Sequence, residues 1–293
     1  MKEYEFSQWL LLFYIFSFFG WIFESSYVSI INRKFVNRGF LIGPWIPIYG
    51  FGGVIMLFVA LPFYFDPVLV FIVGLVAAST LEYFTGMLME KIFAVKYWDY
   101  TGKKFASKNG YICLESSLCW GVFTLILTYA GNRWIDGFIY VPPRSFLLVM
   151  DSFLTLVFAA DVYVSAKTAL HIKNLSQLVS KANEEMNDMM NRMPESVLEL
   201  RKAFEAARED GHITRPEWEQ LVGKAVELLE GGLNERRTEA IRKFEAVLAK
   251  RQKAFGNIDM LTKRMLSSNP SASSRLEGFD ILKKRVREDH KKK

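Results

Sequence analysis

Five stretches of the chain run for about 20 residues with little charge: 7–31, 46–65, 68–90, 112–130 and 145–166. A helix needs roughly 20 mainly apolar residues to cross about 30 Å of hydrocarbon, so the pattern predicts five transmembrane helices. The second and third are parted by little beyond Asp66-Pro67, a tight turn between antiparallel helices. No Ala-x-Ala-like site follows the first stretch, and the start Met1-Lys-Glu-Tyr-Glu5 lacks a basic segment. It therefore reads as a retained helix rather than a cleaved signal peptide.

After residue 170 the period changes. Ile172, Leu175, Val179, Ala182, Met186, Met189 and Met193 alternate spacings of three and four, a heptad seam that continues the fifth helix until Pro194. Such a seam either pairs two chains or folds back on the tail's own helices. A further long helix over 233–266 presents Ile241, Phe244, Leu248, Phe255, Ile258 and Met265, but Arg251 and Thr262 interrupt a strict heptad, which suits an intramolecular bundle. A Ser/Asn/Pro-rich linker, Ser267–Ser274, then leads to the basic end Lys283-Lys-Arg-Val-Arg-Glu-Asp-His-Lys-Lys-Lys293. The expected class is all-α: a polytopic helical membrane bundle over 1–168, a cytoplasmic helical or coiled-coil unit over 169–266, and a basic flexible tail over 267–293.

Charge sharpens this division. Residues 1–170 hold 12 Lys+Arg and 11 Asp+Glu, and the remaining 123 residues hold 25 and 20. A disordered chain, a disulfide scaffold and a single soluble globule are thereby excluded. Loop basics set an expected orientation, because Lys and Arg resist export. Arg33, Lys34, Arg38, Lys91, Lys96, Lys103, Lys104 and Lys108 fall on one side with the tail; only Lys2, Arg133 and Arg144 fall on the other. The N-terminus is expected outside and the tail in the cytoplasm, in a bacterial inner membrane. The net +6 is mostly the tail's; basic residues there suit an anionic leaflet better than nucleic acid, which is not expected as a partner. Cys113 and Cys119 both lie in the fourth stretch and indicate neither a disulfide framework nor a metal site.

The informative charges are those inside the spans. Glu24, Glu82, Glu115, Asp151 and Asp161 lie where an ionised group is costly, so each should face protein or water. All but Asp151 fall in the half nearer the basic loops. Ser17, Gly20 and Glu24 share one helical face; Gly74, Ala78, Glu82, Gly86 and Glu90 recur every four residues in the third span. Small residues in such rows let helices approach closely and point the carboxylates into seams. One reading is a cytoplasm-facing cavity for a cation, a proton or a cationic head group, with Arg38 as counter-charge. The other is that protonated or Arg-paired carboxyls hold the bundle together.

Two loops on the basic side resemble each other. Asn37-Arg-Gly-Phe-Leu-Ile-Gly-Pro-Trp-Ile-Pro-Ile-Tyr-Gly50 and Asn109-Gly-Tyr-Ile-Cys-Leu-Glu-Ser-Ser-Leu-Cys-Trp-Gly121 share Asn, Gly, an aromatic and an aromatic-Gly ending when one gap is allowed. Glu24 precedes the first and Glu82 the second, so the two hairpins read as a parallel repeat with a site at its interface. Gly43, Pro44, Pro47 and Gly50 forbid a regular helix at the entry to the second span, with Tyr49 beside them. Irregular backbone at membrane depth must be buried in protein or line water. Trp98, Asp99 and Tyr100 form an interfacial turn, which serves as a head-group anchor or as a gate. Asn37 and Asn109 complete the candidate set.

The motifs Gly20-Trp21-x-x-Glu24, Asn37-Arg-Gly-Phe-Leu-x-Gly-Pro44, Pro47-Ile-Tyr-Gly50, Leu81-Glu82-Tyr83, Trp98-Asp99-Tyr100 and Asn109-Gly-x-Ile-Cys-Leu114 resemble a family of bacterial membrane proteins, the type IV ABC-transporter permeases. The likeness covers about residues 10–165. It implies a polytopic bundle and a transport role. No G-x-x-x-x-G-K-[ST] loop occurs in the chain, so an ATPase would be a separate protein, with the 98–109 loop as a place for it to dock. Five spans make a poor pore alone, so a homodimer, through the helices and the 172–193 seam, is expected alongside the lipid bilayer. No cofactor or catalytic set is indicated: all three His lie after residue 170, and Asp210-Gly-His212-Ile-Thr-Arg-Pro-Glu217 lacks the first carboxylates of a calcium loop. That segment reads better as a helix stop and a capping box from Thr214 to Glu217. The rival to a permease-like component is a membrane-anchored scaffold whose tail recruits partners.

Overall fold

The computed structural model describes residues 4–131, 135, 137, 139, 140, 142–191 and 235–291. Met193, Pro194, His212 and the 210–217 turn lie outside the described residues. The described secondary structure is helical: α1 (Phe6–Asn32), α2 (Pro47–Ala60, followed by a 3-10 turn at Leu61–Phe63), α3 (Pro67–Phe93), α4 (Leu114–Ile126, followed by a π turn at Leu127–Gly131), α5 (Arg144–Asn191), α6 (Glu235–Gly256), α7 (Met260–Ser268) and α8 (Glu277–Lys291). Among the described residues, extended pairing is confined to two isolated antiparallel bridges, Lys96↔Ser273 and Ala106↔Cys113.

Helices α1 and α3, together with the Arg144–Asp188 stretch of α5, are long and apolar enough to cross a membrane. Helix α2 with its 3-10 turn is shorter, because the Gly-Pro-rich approach stays irregular until Pro47, whose fixed φ suits the first helical position. Helix α4 is 13 residues long and hands over to the π turn. Local signals set the other ends. Gln8 Oε1 accepts the Glu5 N–H at 2.8 Å at the start of α1. Asp66 accepts from the Val68 and Leu69 N–H groups ahead of α3, with Pro67 at its first position. Both α1 and α3 end in the left-handed conformation, at Arg33 and Ala94.

The chain falls into two compact units, Met1–Leu170 with Arg264–Ser273, and His171–Lys263 with Ser274–Lys293. In the first, α1 packs on α2, α2 on α3 and α3 on α4. A Cβ on Gly20 would overlap the Tyr49 side chain, and one on Gly74 would overlap Thr124, so the small residues of the predicted rows are sites of close helix approach. At the end away from the loops, Leu12, Leu57, Ile135 and Ile139 form a buried cluster. Outward-facing Val149, Phe153 and Leu156 on α5, and Val68, Ile72 and Val76 on α3, remain exposed. An apolar surface of that extent marks contact with lipid or protein rather than water.

The second unit has its own core. Ile172, Leu175, Val179, Ala182 and Met186 are all buried, as are Val247, Ala254, Phe279, Leu282 and Val286. The Gly278 N–H donates to Ser180 Oγ at 2.9 Å, and Gly278 packs directly against Ser176 and Val179. Of the two uses open to the heptad seam, its described part therefore makes the intramolecular one. The long helix expected over 233–266 is broken: α6 ends at Gly256, and α7 starts after Asp259, which accepts the Thr262 N–H at 2.7 Å. Burial alone would raise the Asp259 carboxyl, but the Thr262 hydrogen bonds and His171 outweigh it and hold it below its ordinary value. A C-terminal Gly and an Asp cap thus override the apolar periodicity.

Candidate functional site

The loops 33–46 and 94–113 leave the same end of α1 and α3, and the charged and aromatic candidates converge there. Glu24, three-quarters of the way along α1, accepts the Tyr49 O–H at 2.8 Å and pairs with Arg38 Nε at 3.6 Å. Its side chain is 29% exposed and that of Arg38 is 14% exposed. Tyr49 reaches it because Gly20 leaves room for the ring on the neighbouring helix.

Glu82 is in different company. It is only 4% exposed. Tyr100 O–H (3.1 Å), Ser116 O–H (2.9 and 3.1 Å) and Trp120 Nε1–H (3.1 Å) all donate to it. Each donor is neutral. The two carboxylates are linked by aromatic contact, since the Tyr49 and Trp120 rings lie 5.6 Å apart. Tyr100, in the loop, has its phenol pushed up by burial and then by Glu82.

The remaining candidates divide into anchors and outliers. Asp161 on α5 accepts two successive backbone N–H groups, Ile42 at 2.9 Å and Gly43 at 2.7 Å, and is steadied by Ser165 O–H at 3.1 Å. It is the peg on which the irregular Gly43-Pro44 approach to Pro47 hangs, and the missing helical partners of that backbone are replaced by its carboxylate. Asn37 accepts Trp21 Nε1–H at 2.7 Å and donates to the Ile42 carbonyl at 3.1 Å, tying the loop to α1. Gly50 nests against Phe13 and Ser17 in the first turn of α2.

In the second loop, Asp99 Oδ1 accepts the Thr101 N–H and O–H, Trp98 Nε1–H donates to the Tyr111 carbonyl at 2.8 Å, and the Asn109 carbonyl accepts from Lys96. Burial alone would raise the Asp99 carboxyl, but those Thr101 bonds and Lys96 outweigh it and hold it below its ordinary value. Gly110 sits at φ +69, where a side chain would overlap Asp99. Glu115 lies apart: it is an exposed partner of Lys103 at 2.6 Å, 66% exposed, at the first turn of α4. Asp151 is buried, and neither of its carboxyl oxygens has a hydrogen-bond partner among the described residues.

Beside this cluster, α1, α2 and α4 enclose an apolar lateral cavity of about 590 Å³, walled by Phe16, Phe23, Met56 and Phe123. Tyr49 and Trp120 line it, whereas Glu24 and Glu82 do not. Neither carboxylate lines this cavity; Glu24 holds the Tyr49 O–H and Glu82 the Trp120 Nε1–H from behind the two rings. Ser116 and Trp120 were not singled out as site residues. The signal for them is an i, i+4 pair on one face of α4, one and five residues beyond Glu115. Glu90, the last member of the α3 row and outside the candidate set, accepts the Tyr111 O–H at 2.6 Å. No group of three or more His, Cys, Asp and Glu fit to hold a metal ion occurs among the described residues.

The helical fold, with three helices among the described residues long and apolar enough to cross a membrane, fits a membrane transport component. The family described as "Putative ABC-transporter type IV" matches residues 11–166, and the chain belongs to it. No curated protein and no solved structure matches the chain. The match ends before the second unit, which inherits nothing from it.

Proposed function

We propose that the protein is the membrane-embedded component of a transporter, working through the Glu24–Arg38–Tyr49 and Glu82–Tyr100–Ser116–Trp120 groups. Family membership and the apolar helices support a membrane transport role. The observation that carries the site is the contrast between two carboxylates joined through the Tyr49–Trp120 contact, one balanced by Arg38 and one surrounded by neutral donors alone. A cationic or hydrogen-bond-donating solute can replace neutral donors at Glu82 without displacing a resident positive charge. Tyr49 and Trp120 would have to turn for a solute to pass from the lateral cavity to the carboxylates.

In this reading α2 and α4 complete a five-span bundle, with the basic loops and the second unit in the cytoplasm of a bacterial cell. The hairpins α1–α2 and α3–α4 form the two halves of a parallel repeat. Energy would come from a separate ATPase, since the chain has no phosphate-binding loop. Glu24→Gln and Glu82→Gln are expected to abolish solute capture and movement while leaving membrane insertion and particle size unchanged. Full capture by both variants would refute the site.

A second reading has its own support: the second unit is compact, with a buried core of its own, as a partner-recruiting scaffold requires. Truncation after residue 170 would then abolish partner recovery, and the two Gln variants would keep it.

A further inference from the structure

We infer that Arg264–Ser273 forms a removable strap that completes and closes the Glu24–Arg38 side of the candidate site. The inference rests on the reading of that site as functional. The strap lies about a hundred residues beyond the end of the family match, yet it belongs to the same compact unit as α1–α4.

Its contacts are specific. Asn269 Oδ1 accepts Arg38 Nη1–H at 2.9 Å, while Asn269 Nδ2–H donates to the Gly39 carbonyl at 3.1 Å. Ser271 Oγ accepts Arg38 Nη2–H at 3.1 Å and donates to the Tyr97 carbonyl at 3.5 Å. Arg264 donates to the Ile42 carbonyl. The strap then runs antiparallel to the second loop: Lys96 N–H donates to the Ser273 carbonyl at 2.8 Å, and Ser273 N–H to the Lys96 carbonyl at 2.9 Å. Ser273 Oγ–H donates to Asp99 Oδ2 at 3.2 Å. One segment therefore bridges both loops that carry the candidate motifs.

Arg38 is the point of control. Its Nε faces Glu24, and both of its terminal nitrogens are taken by the strap. With the strap seated, the guanidinium is fixed beside Glu24 and covers it. With the strap away, Arg38 keeps a single partially exposed carboxylate contact on a flexible side chain, and Glu24 opens to solvent. Most of its acceptors are backbone carbonyls (Gly39, Ile42, Lys96 and Tyr97), and water replaces hydrogen bonds to them at small net loss. Met265, Leu266 and Ala272 of the strap are buried, so release also exposes apolar surface and the seated strap is the dominant state.

The test uses the full chain in lipid nanodiscs. Asn269→Ala with Ser271→Ala removes the strap's hold on Arg38. Amide hydrogen exchange at Lys96 and Ser273 should rise about five- to thirtyfold. Exchange at Ile42 and Gly43, held by Asp161, should not change. Labelling of Glu24 by a water-soluble carbodiimide with glycine ethyl ester should rise by a similar factor, and labelling of exposed Glu115 should stay constant.

The reverse test locks the strap. An antiparallel hydrogen-bonded pair places its Cα atoms about 5.5 Å apart, inside the roughly 4.4–6.8 Å range of disulfides. Lys96→Cys with Ser273→Cys, in a Cys113→Ser, Cys119→Ala background, should therefore oxidise readily and lower Glu24 labelling until reductant is added. Failure to crosslink together with unchanged exchange would overturn the strap. Crosslinking with Glu24 labelling unaffected would overturn its role as a cover. If both tests succeed while Glu24→Gln and Glu82→Gln retain solute capture, the cover stands as geometry and the transport site is what fails.

Discussion

Glu24 and Glu82 each precede a loop, and the two loops are similar in sequence, yet the protein treats the two carboxylates differently. Glu24 is part-exposed and answers to a cation, Arg38. Glu82 is buried and answers to three neutral side chains from a loop and from α4. The lesson concerns what a carboxylate needs at membrane depth. A counter-charge is one solution; enough hydrogen-bond donors is another. The first ties the group to Arg38, whose terminal nitrogens are held by Asn269 and Ser271. The second builds it into the packing of two helices.

Breaking the second arrangement should have the larger structural effect. Glu82→Leu strands the Tyr100, Ser116 and Trp120 donors, and thermal unfolding in nanodiscs should show a loss of about 3 kcal/mol. Glu82→Gln, which keeps acceptor capacity, should lose about 1 kcal/mol. Equal losses in both would mean that the donors are not what stabilises this region.

Asp161→Ala comes next. It strands the Ile42 and Gly43 N–H groups and should cost about 2 kcal/mol by the same measurement. Amide exchange at those two positions should rise with it, and Asp161→Asn should fall between. On the Glu24 side, Glu24→Gln should cost under about 1 kcal/mol, as part-exposed pairs do, while removing solute capture. A stability loss matching that of Glu82→Leu would erase the distinction between the two carboxylates. Lys103→Ala, which removes the exposed pair with Glu115, should leave unfolding unchanged.

The smallest effect is a pH dependence in the second loop. Asp99 is held below its ordinary value, so its contribution is present at neutral pH and is lost as pH falls through that lowered value. Exchange at the Thr101 amide, corrected for its intrinsic pH dependence, should therefore rise in acid. Asp99→Asn should flatten the profile.

Much of this arrangement was legible in the sequence. Long uncharged runs marked the apolar helices, four-residue rows of Gly and Ala marked close approaches, and carboxylates within those runs marked the polar cluster. Gly43-Pro44 and Pro47 foretold an irregular entry to α2. What pattern could not supply was partnership. Nothing in the spacing of Asp161 says that it binds the backbone of a loop more than a hundred residues away. Glu115 reads like Glu82 on a hydropathy profile, but helix rotation turns it outward to Lys103. Ser267–Ser274 has the composition of a linker, which is also the composition of a segment that hydrogen-bonds loop carbonyls. The break at Gly256–Asp259 was visible as a stop and a cap, but apolar periodicity masked it.

The central claim is that Glu24 and Glu82 together form a working solute site. It is tested most directly by purifying the wild-type protein, Glu24→Gln and Glu82→Gln in nanodiscs, exposing each to the same extract of cationic and polar metabolites, and measuring retained small molecules by mass spectrometry. The account predicts that at least one compound is retained by the wild type and lost from both variants, with insertion and particle size unchanged. Identical retention by all three proteins would contradict it.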